Sequence, residues 1–278
     1  MIGIIGQGFV GNAVYQKFKN YYDVKTYDID ESKCNSTFED TVKNSKFIFV
    51  CLPTPMYKHN GSCNTSIVEE VANEIDVIAE DTNQTKYIII KSTITPGTTK
   101  RLNSDLSYTH TVFNPEFLTE ANSITDYENQ KRIILGGSRE HTSEIKPIFV
   151  KVFPMTHIIR CDSMEAEMVK YTTNAFLATK VSFANEIYEI CKTHAIDYDK
   201  VIEYATMDER LGKSHWAVPG PDGDFGFGGH CFPKDLEALL FISKFQKTTN
   251  NVLKAAKETN DKVRKNRDWE DMDGRAVS

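Results

Sequence analysis

A glycine-rich motif directly after the first apolar run places the strongest constraint on the fold. The motif, Gly6–Gly11, reads G-x-G-x-x-G and stands between the predicted strand Ile2–Ile5 and a predicted helix at Asn12–Asn20. An acidic residue, Asp28, ends the next predicted strand, at about the 20-residue separation found in dinucleotide-binding βαβ units. The chain is therefore predicted to begin with a dinucleotide-binding fold.

The three glycines of this motif have different roles. Gly6 permits the tight turn, Gly8 lets a pyrophosphate approach the backbone, and Gly11 lets the helix pack closely on the strand. With the intervening Phe9 and Val10 they form the predicted cofactor-binding turn, because the N-terminus of the following helix attracts phosphate. A glycine turn without a ligand is the alternative interpretation.

The acidic residue after the second strand predicts which dinucleotide binds. Asp28 is expected to accept hydrogen bonds from the adenosine ribose hydroxyls, and its charge repels a 2′-phosphate. NAD is therefore favoured over NADP as the cofactor. Lys33 lies close by in the sequence, which weakens this preference slightly, and it is counted among the predicted cofactor-binding residues.

Apolar runs alternate with amphipathic segments throughout residues 1–160. Near-continuous apolar strands separated by helices predict an α/β fold of the Rossmann type, with a doubly wound parallel sheet covered on both faces. The predicted strands are Ile2–Ile5, Val24–Asp28, Phe47–Leu52, Tyr87–Ser92, Thr109–Phe113, Arg132–Leu135 and Thr156–Arg160. The predicted helices between them are Asn12–Asn20, Asn64–Ala79, Gly97–Asn103 and Arg139–Lys151.

The pattern becomes helical after residue 160. Ser163–His194 contains no strong helix breaker and repeats apolar residues at helical spacing, which predicts one helix of about 30 residues. Such a helix is typical of a domain connector or an oligomer interface, and a long core helix is the alternative. Further helices are predicted at Tyr198–Ala205, Lys234–Lys247 and Asn250–Trp269. Residues 161–270 are thus predicted to form an all-helical domain that builds a homodimer, and residues 271–278 a frayed polar tail.

The composition excludes several functional classes. The formal net charge of −6 and the pI near 5.7 argue against nucleic-acid binding. No apolar run approaches the ~20 residues that span a bilayer, so no membrane association is predicted. The six cysteines lack the spacing of a metal site, so no metal is predicted, and reduced thiols in a cytoplasmic protein are favoured over disulfides.

Polar residues follow three of the predicted strands, and the carboxyl ends of parallel strands form a ligand crevice. Thr54 and Thr93 are placed to contact the nicotinamide half of the cofactor, although turn formation or helix capping explains either hydroxyl equally well. Glu116 and Glu120 stand four residues apart, so their carboxylates share a face if this segment forms a helical turn. Glu116 is the candidate general base, and a solvated helix start is the alternative.

Two further groups of residues, both in the second half of the chain, have side chains suited to catalysis. Lys170 and Asn174 are separated by one helical turn and could bind an oxyanion together, although an exposed lysine is the commoner case. Cys231 lies at a predicted helix start, where the helix dipole and Lys234 lower the pKa of a thiol. Because Asp235 follows one turn later, the segment predicts a nucleophilic thiol with a carboxylate helper.

These residues together resemble the UDP-glucose/GDP-mannose dehydrogenase family, and within it the UDP-glucose 6-dehydrogenases. The resemblance covers nearly the whole chain. The combination of Asn-Pro-Glu-Phe-Leu with Gly-Phe-Gly-Gly-x-Cys-Phe-Pro-Lys-Asp in one chain is highly specific for this family. The matching stretches are Gly6–Gly11, Leu52–Pro55, Lys91–Thr99, Asn114–Glu120, Lys170–Ala178 and Phe225–Asp235.

The resemblance implies a four-electron, NAD-dependent oxidation of a nucleotide-sugar C6 alcohol to a carboxylate, with UDP-glucose as the expected substrate and polysaccharide biosynthesis as the expected setting. Cys231 would form a thiohemiacetal and then a thioester, which water hydrolyses. Lys170 and Asn174 would stabilise the charge on oxygen. Asp235 would assist proton transfer, and Glu116 would act as the base.

The resemblance also assigns binding residues. Thr93 would hold a water molecule, and Glu120 and Lys234 would lie near the cofactor. The substrate-binding residues implied by the family pattern are Glu116, Phe117, Leu118, Lys170, Asn174, Arg210, His215, Trp216 and Gly228.

Members of this family usually carry a third, C-terminal α/β domain, which we expect this chain to lack because it stops after the last predicted helix. Two functions remain open: an active nucleotide-sugar dehydrogenase, or a catalytically incomplete NAD-binding module that dimerises. The catalytic residues favour the dehydrogenase, because a binding module needs none of them. A 3-hydroxyacid dehydrogenase of similar architecture would not need the nucleophilic thiol.

Overall fold

A computed structural model describes all residues from Met1 to Ser278. The chain forms two compact units, of which the first comprises Met1–Thr54 and Thr65–Lys170. The second unit comprises Pro55–Asn64 and Tyr171–Ser278. The first unit thus extends beyond residue 160, where the sequence pattern changes. The second unit includes a loop from the first half of the chain that no sequence pattern marked.

The first unit is built on one seven-stranded sheet. Its strands are β1 (Ile2–Ile5), β2 (Val24–Tyr27), β3 (Phe47–Val50), β4 (Lys86–Ile90), β5 (Thr109–Phe113), β6 (Arg132–Gly136) and β7 (His157–Cys161). Their order across the sheet is β2-β1-β3-β4-β5-β6-β7. All seven predicted strands are present, and the prediction of a Rossmann-type α/β fold is confirmed. Since β2 and β3 lie on opposite sides of β1, the sheet has a switch point at the carboxyl ends of β1 and β3, where such folds bind ligands.

Strand β4 shows why the sheet is covered on both faces. Ile88, Ile89 and Ile90 are all fully buried. Ile89 packs into one apolar cluster with Ile4 and Phe149, whereas Ile88 and Ile90 pack into a second cluster. Because successive strand residues point to opposite faces, a continuous apolar run supplies both cores at once.

The sheet is not parallel throughout, in contrast to the prediction. β6 pairs antiparallel with β5 through Phe113 and Gly136, and β7 then runs parallel to β6. The connection from β5 to β6 contains only a six-residue helix, Ser123–Glu128, which is too short to carry the chain back across the sheet. The chain therefore re-enters the sheet from the edge at which β5 ends.

Ten α-helices accompany the strands. They are α1 (Phe9–Phe18), α2 (Phe38–Lys43), α3 (Ser66–Asp81), α4 (Thr98–Asp105), α5 (Ser123–Glu128), α6 (Arg139–Val152), α7 (Ser163–Thr193), α8 (Tyr198–Ala205), α9 (Phe232–Phe245) and α10 (Asn251–Val263). The 31-residue helix α7 confirms the predicted long helix. The six-residue helices α2 and α5 were missed, because they are too short to show a helical period.

The C-terminal segment differs from its prediction in two respects. Helix α10 ends at Val263, because Arg264 adopts an extended backbone conformation. The last residues are not frayed: Val277 is buried, and Met56 and Val277 form a parallel bridge within the second unit. Ser278 donates its backbone N–H to the carbonyl of Met56, which closes this contact. None of the helices is both long enough and apolar enough to cross a membrane.

Candidate active site

The turn between β1 and α1 has the geometry of a dinucleotide-binding turn. Gly6 has φ of 91°, and a Cβ atom there would lie 2.4 Å from the carbonyl oxygen of Cys51. A Cβ atom at Gly11 would lie 1.8 Å from the carbonyl oxygen of Gly6, so neither position accepts a side chain. A Cβ atom at Gly8, by contrast, would have no neighbour within 4 Å. Gly8 is the N-cap residue of α1. Open space therefore lies in front of the N-terminus of α1, where a phosphate would bind.

Asp28 lies beside this turn. Its carboxylate accepts hydrogen bonds from the backbone N–H of Gln7 (2.5 Å) and of Asp30 (2.9 Å). Lys33 forms its ion pair with Asp30 (3.0 Å) and not with Asp28. The negative charge predicted to exclude a 2′-phosphate is thus held at the turn by the backbone.

A cavity of about 570 Å³ opens at this site. The cavity is lined by Gln7, Gly8, Phe9, Asn12, Tyr15, Thr26, Ser32, Lys33, Cys34 and Asn35. Gln7 is buried, and its Nε2 has no hydrogen-bond partner within the protein. Empty space before a helix N-terminus, a fixed carboxylate and a buried unpartnered donor together fit the adenosine and phosphate groups of NAD.

Glu116 and Lys170 form a buried ion pair in the first unit. The Nζ of Lys170 donates to the Oε1 and to the backbone carbonyl of Glu116, both at 2.7 Å. The other carboxylate oxygen, Oε2, accepts the N–H of Leu118 at 2.7 Å. The ammonium of Lys170 also lies 5.6 Å from the ring centre of Phe117. These predicted site residues are thus adjacent to one another.

The pairing determines the charge of Glu116. Burial alone would raise the pKa of this carboxyl, but the charge and hydrogen bond of Lys170 lower it overall. Glu116 is therefore ionised at neutral pH, as a general base must be, and Lys170 offsets its charge.

The predicted pairing of Glu116 with Glu120 on a helical turn is wrong. The segment from Asn114 to Thr119 has no regular structure, and Glu116 is buried whereas Glu120 is exposed. Pro115 disfavours a helical conformation at the residue before it, which explains why no turn begins there.

The two predicted strand-end threonines lie where the sequence analysis expected them. Thr54 follows β3 and Thr93 follows β4, and both are buried. Both residues therefore lie on segments that leave the carboxyl edge of the sheet.

The second unit contains a cluster around Asp235. One carboxylate oxygen of Asp235 accepts the Nδ2 of Asn174 and the other accepts the Nζ of Lys234, both at 2.5 Å. All three side chains are buried. Cys231 caps the N-terminus of α9, and the N–H of Asp235 donates to the Cys231 carbonyl at 3.0 Å. The amide of Asn174 and the carboxylate of Asp235 are therefore in contact, and Cys231 lies one helical turn before Asp235.

The charge on Lys234 favours a reactive thiol. Burial alone would lower the pKa of Lys234, but the charge of Asp235 outweighs it and raises that pKa. Cys63 and Cys231 act on Lys234 in the same direction, so the ammonium lies within electrostatic reach of both sulfur atoms. A persistent positive charge beside a thiol at a helix N-terminus stabilises the thiolate.

Lys170 and Asn174 lie one turn apart on α7, as predicted, and both are buried. Each of them is bound to a different carboxylate, that of Glu116 for Lys170 and that of Asp235 for Asn174. The helix therefore presents two donor–carboxylate pairs and not one isolated pair of donors.

The glycine-rich segment before Cys231 is held by residues that sequence analysis missed. The side chain of Asn260 exchanges two hydrogen bonds with the backbone of Phe227. Asp268 accepts the N–H of Gly229 at 3.0 Å and the guanidinium of Arg264 at 3.1 Å. Gly228, a predicted substrate residue, packs against the same guanidinium. Nothing in the local sequence marks these partners, because they come from α10 and the segment after it.

The remaining predicted substrate residues have different environments. Arg210 forms an exposed ion pair with Asp208. Trp216 is buried in an apolar cluster, and its Nε1 donates to the carbonyl of Gly212 at 2.9 Å. The ring of His215 lies 5.6 Å from that of Phe232, the residue after Cys231.

Comparison with known proteins identifies the family. The NAD-binding domain of the UDP-glucose/GDP-mannose dehydrogenase family matches residues 33–153, and the central domain of that family matches residues 164–262. A UDP-glucose 6-dehydrogenase of Campylobacter jejuni is 30% identical over 94% of this chain and 72% of its own length. The chain belongs to the UDP-glucose/GDP-mannose dehydrogenase family.

Two further relatives support this assignment. A UDP-glucose 6-dehydrogenase of Bacillus subtilis is 32% identical over 95% of this chain. A UDP-glucose dehydrogenase from the hyperthermophilic archaeon Pyrobaculum islandicum has a similar structure, with a TM-score of 0.85 and 26% identity over 94% of this chain. The 278-residue chain spans 63% of the length of the Bacillus relative and 68% of the length of the archaeal chain. The predicted NAD cofactor is confirmed by the match to the family's NAD-binding domain.

Proposed function

We propose that this UDP-glucose/GDP-mannose dehydrogenase family member oxidises UDP-glucose to UDP-glucuronate through a thioester on Cys231. The observation that carries the proposal is the cluster at the start of α9, in which Asp235 is bound to Lys234 and Asn174 one turn after Cys231, the N-cap residue of this helix. A module that only binds a dinucleotide has no use for a buried carboxylate beside a thiol at a helix N-terminus.

In the proposed reaction, Cys231 carries the substrate carbon. The thiolate adds to the C6 aldehyde that the first oxidation produces and forms a thiohemiacetal. Oxidation of this adduct leaves a thioester, which water cleaves to the carboxylate and the thiol. NAD, when bound, supplies the hydride acceptor for both oxidations. Two NADH are therefore expected for each sugar.

The residues around the thiol have complementary roles in this proposal. Asp235 accepts hydrogen bonds from two donors in the resting protein, which fix its carboxylate where it can orient the hydrolytic water. Asn174 offers an amide donor to the oxygen that becomes charged in the tetrahedral intermediates. Lys234 holds the thiolate in its reactive, charged form.

Glu116 and Lys170 form the second functional pair. Glu116 is ionised because Lys170 lowers its pKa, so it can accept a proton from the attacking water or alcohol. When the carboxylate is protonated, the ammonium of Lys170 loses its counter-charge and becomes available to an oxyanion. Protonation of Glu116, the base, thus frees Lys170 to bind the oxyanion.

We also propose that the chain forms a homodimer through α7. Phe176, Phe183 and Ile190 recur at seven-residue spacing on this helix and are 66%, 51% and 55% exposed. A regular apolar stripe of this length is typical of a helix that pairs with a second copy. Light scattering of the purified chain tests this, and Phe183→Glu should give a monomer where Lys192→Glu does not.

The function is tested by supplying NAD with UDP-glucose, GDP-mannose and other nucleotide sugars and counting the NADH formed per sugar. UDP-glucose should yield two NADH in the parent chain. Cys231→Ser should lose acid formation while it retains NAD binding, because the cofactor turn lies on other residues. Cys191→Ser, which removes a buried thiol on α7, is the matched control and should stay active. Acid formation by Cys231→Ser at the parent rate would exclude the thioester route, and NAD binding without oxidation of any sugar would support a binding module.

A further inference from the structure

Lys91, a buried lysine without an assigned role, contacts the chain segment that contains Glu116. It follows β4 directly and is 2% exposed. Its Nζ donates a hydrogen bond of 2.9 Å to the Oδ1 of Asn114, which follows β5. Because Glu116 is two residues further along the chain, a lysine at the end of one strand contacts the base-bearing segment at the end of the next.

Asn114 fixes the start of this segment through three hydrogen bonds. Its N–H donates to the carbonyl of Ile90 at 2.8 Å, which continues the pairing of β4 with β5. Its Nδ2 donates to the carbonyl of Ile134 in β6 at 2.7 Å. The backbone pairing of β5 with β6 consists of one residue pair, so this side chain supplies much of the connection between those strands. Lys91 occupies the remaining acceptor of the same side chain.

The charges around Lys91 make its position electrostatically important. Burial lowers the pKa of Lys91 to about 8, against the opposing effects of Cys51 and Glu116, while Lys170 acts with burial. The ring of Tyr127 lies 5.4 Å from the ammonium. Lys91 in turn contributes to lowering the pKa of Glu116, after the larger effects of Lys170 and Leu118. At neutral pH, Glu116 therefore faces a second cation besides Lys170.

We propose that Lys91 is a positioning residue for Glu116, which it places through Asn114 and to which it presents a second buried positive charge. The inference rests on the proposed function, because it concerns the residue assigned there as the base. It adds that two lysines act on the carboxylate: Lys170 binds it directly, and Lys91 acts through Asn114. A buried ammonium is costly, and this arrangement gives it a use that packing alone does not.

The test compares Lys91 with Lys86, the buried lysine that begins β4. Lys91→Met removes the ammonium but keeps most of the side-chain volume. Lys86→Met is the matched control, since Lys86 is also fully buried but lies at the opposite end of the strand, where it donates to the carbonyls of Lys43 and Ser45. The readout is the titration of the Glu116 carboxyl carbon in the ¹³C NMR spectrum, assigned by comparison with Glu116→Gln.

Lys91→Met should raise the pKa of Glu116, and Lys86→Met should leave it unchanged. An unchanged Glu116 titration in a folded Lys91→Met variant would overturn the proposal. If Lys91→Met does not fold, Lys91→Gln keeps a donor for Asn114 without the charge and should raise the same pKa, with the same result overturning the proposal.

Kinetic measurements separate this inference from the proposed function. In an active chain, Lys91→Met should lower kcat about tenfold or more, move its acidic limb to higher pH and leave the KM for NAD unchanged. Absence of sugar oxidation by the parent chain, combined with a shifted Glu116 titration in Lys91→Met, would reject the function and uphold the positioning.

Discussion

The carboxylate of Glu167 on α7 binds Thr99 at the start of α4 through two hydrogen bonds. Its Oε1 accepts the backbone N–H of Thr99 at 3.0 Å and the hydroxyl at 2.6 Å. Its Oε2 accepts the N–H of Gly97 at 2.6 Å. Glu167 therefore caps α4 from another helix. Since Lys170 follows three residues later, the same contact anchors the turn of α7 that carries this lysine.

Glu167→Ala should lower the free energy of unfolding by about 2–3 kcal/mol, because it leaves the N–H groups of the buried Thr99 and the half-buried Gly97 without acceptors. Glu167→Gln keeps one acceptor and should cost less. Denaturant unfolding followed by circular dichroism measures both values. Glu189 lies on the same helix as Glu167, and its exposed carboxylate is 3.9 Å from Lys262 on α10. Glu189→Ala should change the free energy of unfolding by about 1 kcal/mol at most. Equal losses in Glu167→Ala and Glu189→Ala would contradict the capping role.

The same carboxylate gives a defined pH dependence. Burial raises the pKa of Glu167, although Thr99 and Gly97 oppose this effect. The folded state then binds a proton more readily than the unfolded state, so the contribution of this group is greatest below its ordinary pKa and declines as pH rises through the raised one. The stability difference between the parent chain and Glu167→Gln should therefore shrink between acid and neutral pH. A constant difference in that range would mean that Glu167 does not titrate there.

Thiol reactivity should distinguish Cys231 from Cys51. Burial raises the pKa of Cys51 to about 12, so almost none of this thiol is ionised at neutral pH. Cys231 lies at the N-terminus of α9 beside the ammonium of Lys234, where the thiolate is stabilised. Iodoacetamide should therefore modify Cys231 at least about tenfold faster than Cys51. Peptide mass spectrometry gives the two rates, and equal rates in the folded protein would contradict an activated thiol.

Local sequence patterns predicted most of the fold. The bounds of β1, β5 and α8 match their predictions, because apolar runs and turn residues delimit them within a few positions. The reversal of β6 could not be predicted, since an apolar strand has the same composition in either direction. The end of α10 at Val263 depends on the burial of Arg264, which only the folded chain reveals.

The candidate site was predictable where its residues lie close together in sequence. Cys231 and Asp235 share one helix start, and Lys170 and Asn174 share one helical turn. Their partners, such as Glu116 for Lys170, are distant in the chain, and no rule of sequence spacing predicts them. Buried charged residues present the greatest difficulty, because Lys91, Glu167 and Arg264 resemble ordinary surface residues until their partners are known.

Asp28 should determine the choice between NAD and NADP. Asp28→Asn keeps the shape of the side chain but removes the charge that opposes a 2′-phosphate. The ratio of the dissociation constants for NADP and NAD should fall by about tenfold, as measured by calorimetry. Asp30→Asn is the matched control, since Asp30 is a nearby exposed carboxylate that pairs with Lys33. If Asp28→Asn leaves this ratio of dissociation constants unchanged, residues other than Asp28 determine the preference for NAD.

Arg264 should be essential for the loop that leads to Cys231. Its guanidinium is 1% exposed and binds Asp222 at 2.7 Å and Asp268 at 3.1 Å. Arg264→Met would leave these carboxylates without their cation and should destabilise the second unit by about 3–5 kcal/mol. Arg267→Met removes a more exposed arginine from the same segment and should cost about 1 kcal/mol.

The loop itself should respond to the loss of Arg264. Limited proteolysis within residues 219–229 should become faster in Arg264→Met, because the carboxylates that hold this loop lose their common partner. Burial alone would raise the pKa of Asp222, but the Arg264 hydrogen bond and charge lower it overall. The stability gained from this pair is therefore present above the ordinary pKa of an aspartate and is lost as pH falls through the lowered value. The stability difference between the parent chain and Arg264→Met should accordingly narrow in acid, and a difference that widens there would show that another interaction fixes the loop.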